Sequence, residues 1–260
     1  MHLLMIVAGL GLAYVLRSSY SQQDGNWTQR WQRSLLMFLF PPLLLMMTAV
    51  AVLCMGPQGQ MVGFYSGWLT YYLVLGCLAV AIFVGIKLAI EAWQSIEQIR
   101  TYPQLEFEGS KVRLLDHSIP FSAMIGFWQP ELVVSKGLLQ KLQPEHLQAV
   151  LSHEQAHHHY RDTFWFFWLG WVYRCSAWLP KTASLWEELL LLREIRADGW
   201  AAQKVDSLII AESLLIVVNQ SMIVSETVCA AFSRAVPRNR LQQRIDALLA
   251  EPKSPIESIL

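Results

Sequence analysis

A long stretch without charge is the feature of this sequence that most constrains its fold. No Asp, Glu, Lys, Arg or His lies between Ser34 and Ile86. The whole chain is 54% hydrophobic and only 15% charged, which is unusual for a water-soluble protein. A helix needs about 20 apolar residues to cross the hydrocarbon core of a bilayer, so this stretch has room for two spans. The sequence therefore predicts an integral membrane protein, with the lipid bilayer as a partner.

Three apolar segments are predicted to cross the membrane, at about residues 3–16, 35–55 and 68–90. The first is short enough for a signal peptide, but the leader Met1-His2 lacks the positive charge typical of one, and we interpret the segment as an uncleaved span. Pro41-Pro42 should kink the second span, where a neighbouring helix can satisfy the carbonyl groups that the prolines free.

The positions of the basic residues predict how the chain is oriented. Arg17, Arg30 and Arg33 lie in or next to the loop after the first span, and Lys87 lies at the end of the third span. The loop between the second and third spans carries no charge. Since Lys and Arg near span ends remain in the cytoplasm, residues after Lys87 are predicted to be cytoplasmic in a multi-pass protein.

The motif His153-Glu154-x-x-His157 has the spacing of a metal-binding helix. Residues four apart share a helix face, so the two imidazoles can bind one metal ion, while Glu154 is turned about 100° aside. A zinc hydrolase uses three protein ligands and keeps one position open. Glu194 is the predicted third ligand, and Asp198 is predicted to accept a ring N–H from a ligand histidine. One Zn²⁺ ion is the expected cofactor.

The remaining chain is predicted to form a small α+β domain. We divide the sequence into a transmembrane region at residues 1–92 and a zinc peptidase domain at residues 93–260. Turn residues bound three predicted strands, at residues 112–116, 121–125 and 131–135. A helix is predicted to begin at Pro144 and to contain the histidine motif, and shorter helices are expected at residues 208–218 and 240–249.

An aromatic segment at about residues 163–192 is predicted to form a helical hairpin. The segment is rich in Trp, and Trp side chains favour the membrane interface, so the hairpin is predicted to dip into that interface. A complete crossing would leave Glu194 on the opposite side of the membrane from His153, so the chain must turn back, and Pro180 is the expected turning point. The outward leg would be about 13 Å longer than the return. A bend at Gly170 or a long turn is expected to absorb this difference.

Taken together, these motifs resemble the BlaR/MecR-type family of integral-membrane zinc peptidases and, more distantly, the HtpX and CAAX-prenyl-protease family. The single hairpin between the two metal motifs favours the first family. The resemblance is carried by these segments: Pro120–Pro130, Leu151–His157, Arg161-Asp162, Arg193–Asp198 and Arg244-Ile245.

The resemblance implies a zincin-like fold, cleavage of a protein or peptide, and a bacterial plasma membrane location with the catalytic domain in the cytoplasm. A cytoplasmic repressor is one implied substrate. BlaR-type receptors also carry a penicillin-binding sensor after the peptidase domain. The sequence to Leu260 contains none, so β-lactam sensing is not expected.

In the expected mechanism, Glu154 acts as general base for a water molecule and then passes the proton to the leaving amine. An exposed strand edge can hold the substrate by strand addition. The residues predicted for that edge are Ala123, Met124 and Ile125. The residues considered for oxyanion stabilisation are His117, Tyr160 and Arg244.

Other functions fit the sequence less well. An intramembrane protease of the site-2 type also uses this histidine motif, but the flanks at residues 140–148 and 158–162 are too polar for hydrocarbon. A di-iron bundle needs a second Glu-x-x-His, which the chain lacks. A net charge of zero, without basic runs interleaved with aromatics, argues against nucleic acid. The remaining alternative is a membrane signalling scaffold that keeps a peptidase fold and acts by binding a partner.

Overall fold

The computed structural model describes residues 2–21, 25–57, 60–61, 64–65, 68–107, 110–220 and 240–250. These residues are mainly helical and contain a small mixed sheet. The helices are α1 (His2–Ser18), α2 (Trp27–Met55), α3 (Trp68–Arg100), α4 (Lys136–Lys141), α5 (Pro144–His159), α6 (Asp162–Ser176), α7 (Thr182–Ala201), α8 (Ser207–Gln220) and α9 (Leu241–Leu249). The strands are β1 (Gln60–Met61), β2 (Phe64–Tyr65), β3 (Gln104–Phe107), β4 (Ser110–Leu115), β5 (Ser122–Ile125) and β6 (Glu131–Ser135).

Contacts within the chain group it into two compact units. The first contains Met1–Leu88 and Gly170–Leu189, and the second contains Ala89–Leu169 and Leu190–Leu260. The first unit therefore holds α1, α2, most of α3 and the turn between α6 and α7. The second holds the four-stranded sheet together with α4, α5, α8 and α9.

Among the residues that the structure describes, two helices, α2 and α3, are long and apolar enough to cross a membrane by length and composition. They cover the predicted second and third spans, although α3 continues as one helix ten residues past Ile90. Helix α1 is also apolar but has only 17 residues. Its role as a first span stays a prediction.

Helix α2 continues unbroken through Pro41 and Pro42, and α1 supplies a replacement hydrogen bond. Proline has no N–H, so Pro42 leaves the carbonyl of Phe38, four residues earlier, without its helical donor. The buried Arg17 of α1 donates from Nη2 to this Phe38 oxygen at 2.9 Å, and its guanidinium lies 5.4 Å from the centre of the Phe38 ring. A neighbouring helix thus satisfies this freed carbonyl, as expected from the double proline.

The helical hairpin turns where α6 ends and α7 begins, around Pro180. Of the two alternatives for absorbing the difference in leg length, a break of the helix at Gly170 is not observed. Helix α6 runs unbroken through Gly170. The chain instead breaks between α5 and α6, where Arg161 adopts the left-handed backbone conformation with φ of 52°. Because α6 starts only after this break, it is about 21 Å long, and α7 reaches Glu194 after about 18 Å. The two legs therefore nearly match.

The four-stranded sheet has the order β3-β4-β6-β5. Strands β4 and β6 are parallel, whereas β3 pairs with β4 and β5 with β6 in antiparallel fashion. The predicted strands at residues 112–116, 121–125 and 131–135 correspond to β4, β5 and β6. Strand β3 was not predicted, because its short, largely exposed sequence has no apolar alternation. Among the described strands, β5 pairs only with β6 and so forms an edge of the sheet.

The core of the second unit packs one face of the sheet against α4 and α5. Val112 and Val134 of the sheet form one buried cluster with Leu138, Leu147 and Leu151 of these helices. A second cluster joins α5 to α7, α8 and α9 through small and aliphatic residues: Ala149, Ala201, Ile210, Ala211 and Leu248. Helix α5 therefore lies in the centre of this unit, with apolar contacts on two sides.

Replacing Arg17 with Met should destabilise the first unit by about 1–3 kcal/mol, because the buried Phe38 carbonyl loses its donor. In a Pro42→Ala background the loss should be smaller, since the new N–H of residue 42 can donate to that carbonyl. The Phe38 ring is present in both backgrounds, so the loss of its contact with the Arg17 guanidinium affects both equally, and the difference between the two losses in stability reports the hydrogen bond. Thermal unfolding of the wild type, the two single variants and the double variant in detergent measures these stabilities. Equal losses in the two backgrounds would contradict the assignment.

Candidate metal centre

Helix α5 places two imidazole rings side by side. The helix starts at Pro144, whose fixed φ and missing N–H suit a first helical turn, and it has an acid, Glu145, near its amino end. His153 lies nine residues after Pro144, and His157 follows four residues later on the same helix face. Their Nε2 atoms lie 3.1 Å apart. Both side chains are nearly buried, with 12% and 11% of their surfaces exposed.

Helix α7 brings a carboxylate to the same point. Glu194 Oε2 lies 3.3 Å from His153 Nε2, and Glu194 Oε1 lies 3.8 Å from His157 Nε2. One ligand atom from each of the three residues falls within 4.8 Å of the others, so together they could hold a metal ion. The structure thus brings together the three residues predicted as ligands.

The other nitrogen of each ring faces a carboxylate. His153 Nδ1 lies 2.7 Å from Asp198 Oδ1, and His157 Nδ1 lies 2.7 Å from Asp162 Oδ2. His157 Nδ1 is placed to donate to Asp162, and His153 Nδ1 lies close to Asp198. With the proton on Nδ1 of each ring, both Nε2 atoms keep lone pairs and lie 3.1 Å apart. Two facing lone pairs cannot hydrogen-bond to one another, but a cation can accept both. The donor set therefore fits a divalent metal ion.

Asp162 belongs to the centre, although its sequence position alone assigned it no role beyond the segment Arg161-Asp162 that carries the family resemblance. It is buried, and Arg196 also donates to it. The left-handed turn at Arg161 ends α5 and starts α6 at once, which returns Asp162 to His157. The sequence does show an acid five residues after the second histidine, but that acid can reach His157 only because of this turn.

Three guanidinium groups neutralise the buried acids around the ligands. Arg193 donates to Glu194 Oε1 from Nε at 2.9 Å and from Nη2 at 2.6 Å. Arg244 makes a bidentate contact with Asp198, with both distances 2.7 Å. Together with Arg196 at Asp162, these three cations face four carboxylates, counting Glu154, which leaves one net negative charge when both imidazoles are neutral, as they are in a metal-bound site. This balance favours binding of a cation.

The pKa values follow from these charges. Burial opposes ionisation of Glu194, but Arg193 and the other nearby cations outweigh it and hold the pKa of Glu194 well below its usual value. The pKa of Asp198 is lowered in the same way, chiefly by Arg244 and His153 against the effect of burial. Burial alone would lower the pKa of His153, yet Asp198 and Glu194 raise it to about 10. The centre thus attracts positive charge, whether a proton or a metal ion.

Glu154 lies beside the ligands with a different kind of partner. Its side chain is buried, and Ser122 Oγ of β5 donates to Glu154 Oε1 at 2.8 Å. Among the described residues, its hydrogen-bond partner is this hydroxyl and not a guanidinium. The contact also links the motif helix to the edge strand that contains Ala123, Met124 and Ile125, whose side chains are buried. The sequence reading did not single out Ser122.

The three residues considered for oxyanion stabilisation lie in different places. His117 belongs to the loop after β4, where its Nδ1 accepts from the Ile119 N–H at 3.0 Å. Among the described residues, no hydrogen bond or ion pair joins it to the ligands. Tyr160 ends α5, and Arg196 lies 4.1 Å above its ring. Arg244 alone contacts a ligand, with Nη1 3.4 Å from Glu194 Oε2.

Replacing Asp162 with Asn should weaken metal binding by about 10- to 100-fold, because the uncharged amide no longer fixes the His157 ring as strongly. Asp116→Asn is the matched control, since the Asp116 side chain is 84% exposed and pairs only at the surface with Lys136. Competition with a metal-binding dye measures the two affinities. Wild-type affinity in both variants would contradict the role given to Asp162.

Comparison with known proteins identifies a family for the region around this centre. No curated protein matches the chain. Residues 103–223, just under half of the chain, match the model of peptidase family M48. The matched range includes both ligand-bearing helices, α5 and α7, and excludes α9. Over this range the chain is similar to metallopeptidases of family M48.

Proposed function

We propose that the protein is a membrane-bound zinc metalloendopeptidase. The observation that carries the proposal is the convergence of His153, His157 and Glu194 within 4.8 Å, with Glu154 on the same helix as the two histidines. Two imidazoles and one carboxylate form a common ligand set of catalytic zinc, with a fourth position left for water or substrate. Among metals with this preference for nitrogen and oxygen ligands, zinc is the one most typical of peptidases.

The chain's own residues can carry the proton transfers of peptide hydrolysis. A bound zinc ion supplies Lewis acidity, which polarises a carbonyl group and lowers the pKa of water. Glu154 accepts the proton of the attacking water and delivers it to the departing amine. Ser122 donates to Oε1 of Glu154, which leaves Oε2 free to accept that proton. Asp162 and Asp198 hold the two rings in the tautomer that presents Nε2 to the ion.

The substrate is proposed to bind as an added strand along β5. This strand forms an edge of the sheet, and its first residue, Ser122, contacts Glu154. An extended peptide can hydrogen-bond to the backbone of such an edge. A substrate paired with Ala123, Met124 and Ile125 would therefore run past Glu154 as it crosses the centre.

The proposed location is a membrane, with three spans and a catalytic domain in the cytoplasm. Helices α2 and α3 have the length and composition of spans. The start of α6 displays exposed aromatic rings, with Trp165 48% and Trp168 46% exposed, and Trp favours the membrane interface. We also propose that the protein is related more nearly to the BlaR/MecR-type peptidases than to the HtpX family, and that its substrate is a regulatory protein such as a cytoplasmic repressor. Both proposals rest on resemblance.

Replacing Glu154 with Gln should lower peptide-bond cleavage by about 100- to 10,000-fold, because the general base is lost. Zinc content should stay at the wild-type level. The matched control is Glu145→Gln, the same change at an exposed position of the same helix. The purified proteins are incubated with a denatured protein mixture, and new amino termini are identified by mass spectrometry. Metal binding with no cleavage by the wild type would favour the scaffold function instead.

Membrane orientation can be tested with single cysteines in a chain whose native cysteines are replaced. A cysteine at Gln203, an exposed position after α7, should react with a membrane-impermeant maleimide only after cell lysis. A cysteine at Pro57, just after α2, should react in intact cells, because the uncharged loop is predicted to lie outside. The reverse labelling pattern would contradict the proposed orientation.

A further inference from the structure

Arg244 bridges two carboxylates that lie one turn apart on α7. Its Nε donates to Asp198 Oδ2 and its Nη2 to Asp198 Oδ1, both at 2.7 Å. Its third nitrogen, Nη1, lies 3.4 Å from Glu194 Oε2. The side chain is 8% exposed, so these contacts are shielded from solvent. A single guanidinium therefore uses all three of its nitrogens on acids of the candidate metal centre.

Two of the three carboxylate oxygens that face Arg244 also face His153. Asp198 Oδ1 lies 2.7 Å from His153 Nδ1, and Glu194 Oε2 lies 3.3 Å from His153 Nε2. Four side chains thus form a closed ring, which passes from His153 to Asp198, Arg244, Glu194 and back to His153. Glu194 and Asp198 both contact the His153 imidazole, whereas Arg244 contacts only these two acids within the ring.

From this ring we infer that Arg244 is a positioning residue, which fixes the metal ligand Glu194 and the orientation of the ligand His153. The inference rests on the proposed function. It differs from the oxyanion role expected for Arg244, because Nε and Nη2 are already committed to Asp198. Arg244 thus acts through the two carboxylates and does not need to touch a substrate.

Charge explains why the bridge is needed. Asp198 and Glu194 are two buried acids of like charge on one helix face, and like charges four residues apart repel. Burial makes the repulsion stronger, because little water is present to screen it. Arg244 lies against both acids and is held firmly in its charged form, since their attraction outweighs the effect of burial and raises its pKa. Without the guanidinium, these carboxylates would turn apart or take up protons, and either change would move a ligand.

The geometry of the fork matters as well as the charge. Arginine presents Nε and Nη2 to both oxygens of one carboxylate, whereas lysine offers a single ammonium group. A lysine at position 244 can keep a positive charge but cannot bridge Asp198 in two places and reach Glu194. Comparing Arg244→Lys with Arg244→Met therefore separates the effect of the positive charge from the effect of its geometry.

Helix α9 delivers Arg244 to the centre from outside the matched peptidase range, which ends at residue 223. Leu248 lies in a buried cluster with Ala149 of α5 and Ala201 of α7, and Ile245 packs against the same cluster. These apolar contacts place α9 against the helices that bear the ligands. Docking of α9 and assembly of the metal centre are thereby linked through one side chain.

The test compares Arg244→Lys and Arg244→Met with the wild type and with Gln243→Met, an exposed neighbour on the same helix. Full-length proteins in detergent are titrated with Zn²⁺ and with Co²⁺, whose visible spectrum reports ligand geometry. We expect both Arg244 variants to bind the ions about 10- to 100-fold more weakly with an altered Co²⁺ spectrum, and Gln243→Met to behave as wild type. Methylguanidinium added to Arg244→Met should restore part of the affinity.

Several outcomes would overturn the inference. Wild-type metal affinity and an unchanged Co²⁺ spectrum in both variants would show that Arg244 does not position the ligands, even if the unfolding temperature falls. Wild-type affinity in Arg244→Lys alone would assign the effect to charge and not to position. A wild-type protein that binds neither ion would instead contradict the proposed peptidase function, so the two failures are distinguishable.

Discussion

Burial of acidic side chains in the interior of the second unit is the constraint on which the rest of the site depends. Four carboxylates, those of Glu154, Asp162, Glu194 and Asp198, lie in a region with little access to water. An isolated buried charge is costly, so each must find partners. The partners are imidazole rings, guanidinium groups and, for Glu154, a serine hydroxyl. The helices that bear the ligands are therefore joined by charged contacts as well as by apolar packing.

Chain geometry makes this arrangement possible. The motif helix α5 stops at His159, and the left-handed residue Arg161 lets α6 begin immediately afterwards. The hairpin that follows has two legs of nearly equal length, so α7 returns Glu194 and Asp198 to the level of the histidines. A continuous helix from α5 into α6 would have carried Asp162 away from His157. The positive φ of Arg161 thus brings Asp162 to His157 and sets where the outward leg of the hairpin begins.

Local patterns in the sequence predicted much of the centre, because helical periodicity is a local property. The spacing of His153 and His157, and of Glu194 and Asp198, sufficed to place each pair on one helix face. What the sequence did not reveal depends on contacts between distant residues. The contact of Asp162 with His157 depends on the turn at Arg161, and the contact of Glu154 with Ser122 depends on how β5 lies against α5. Strand β3 was missed because an exposed edge strand needs no apolar alternation.

The order of the elements along the chain has a consequence for biosynthesis. Ribosomes release a protein from its amino end, so the histidines of α5 and the acids of α7 emerge well before Arg244 of α9. Until α9 docks, His153 is the only described side chain that contacts both Asp198 and Glu194, and the ring through His153 stays open on the side of Arg244. A nascent chain would therefore lack the complete set of contacts around the candidate metal centre until α9 had been synthesised and had docked. In the proposed peptidase, this order of synthesis would delay assembly of the metal centre relative to folding of the helices that bear its ligands.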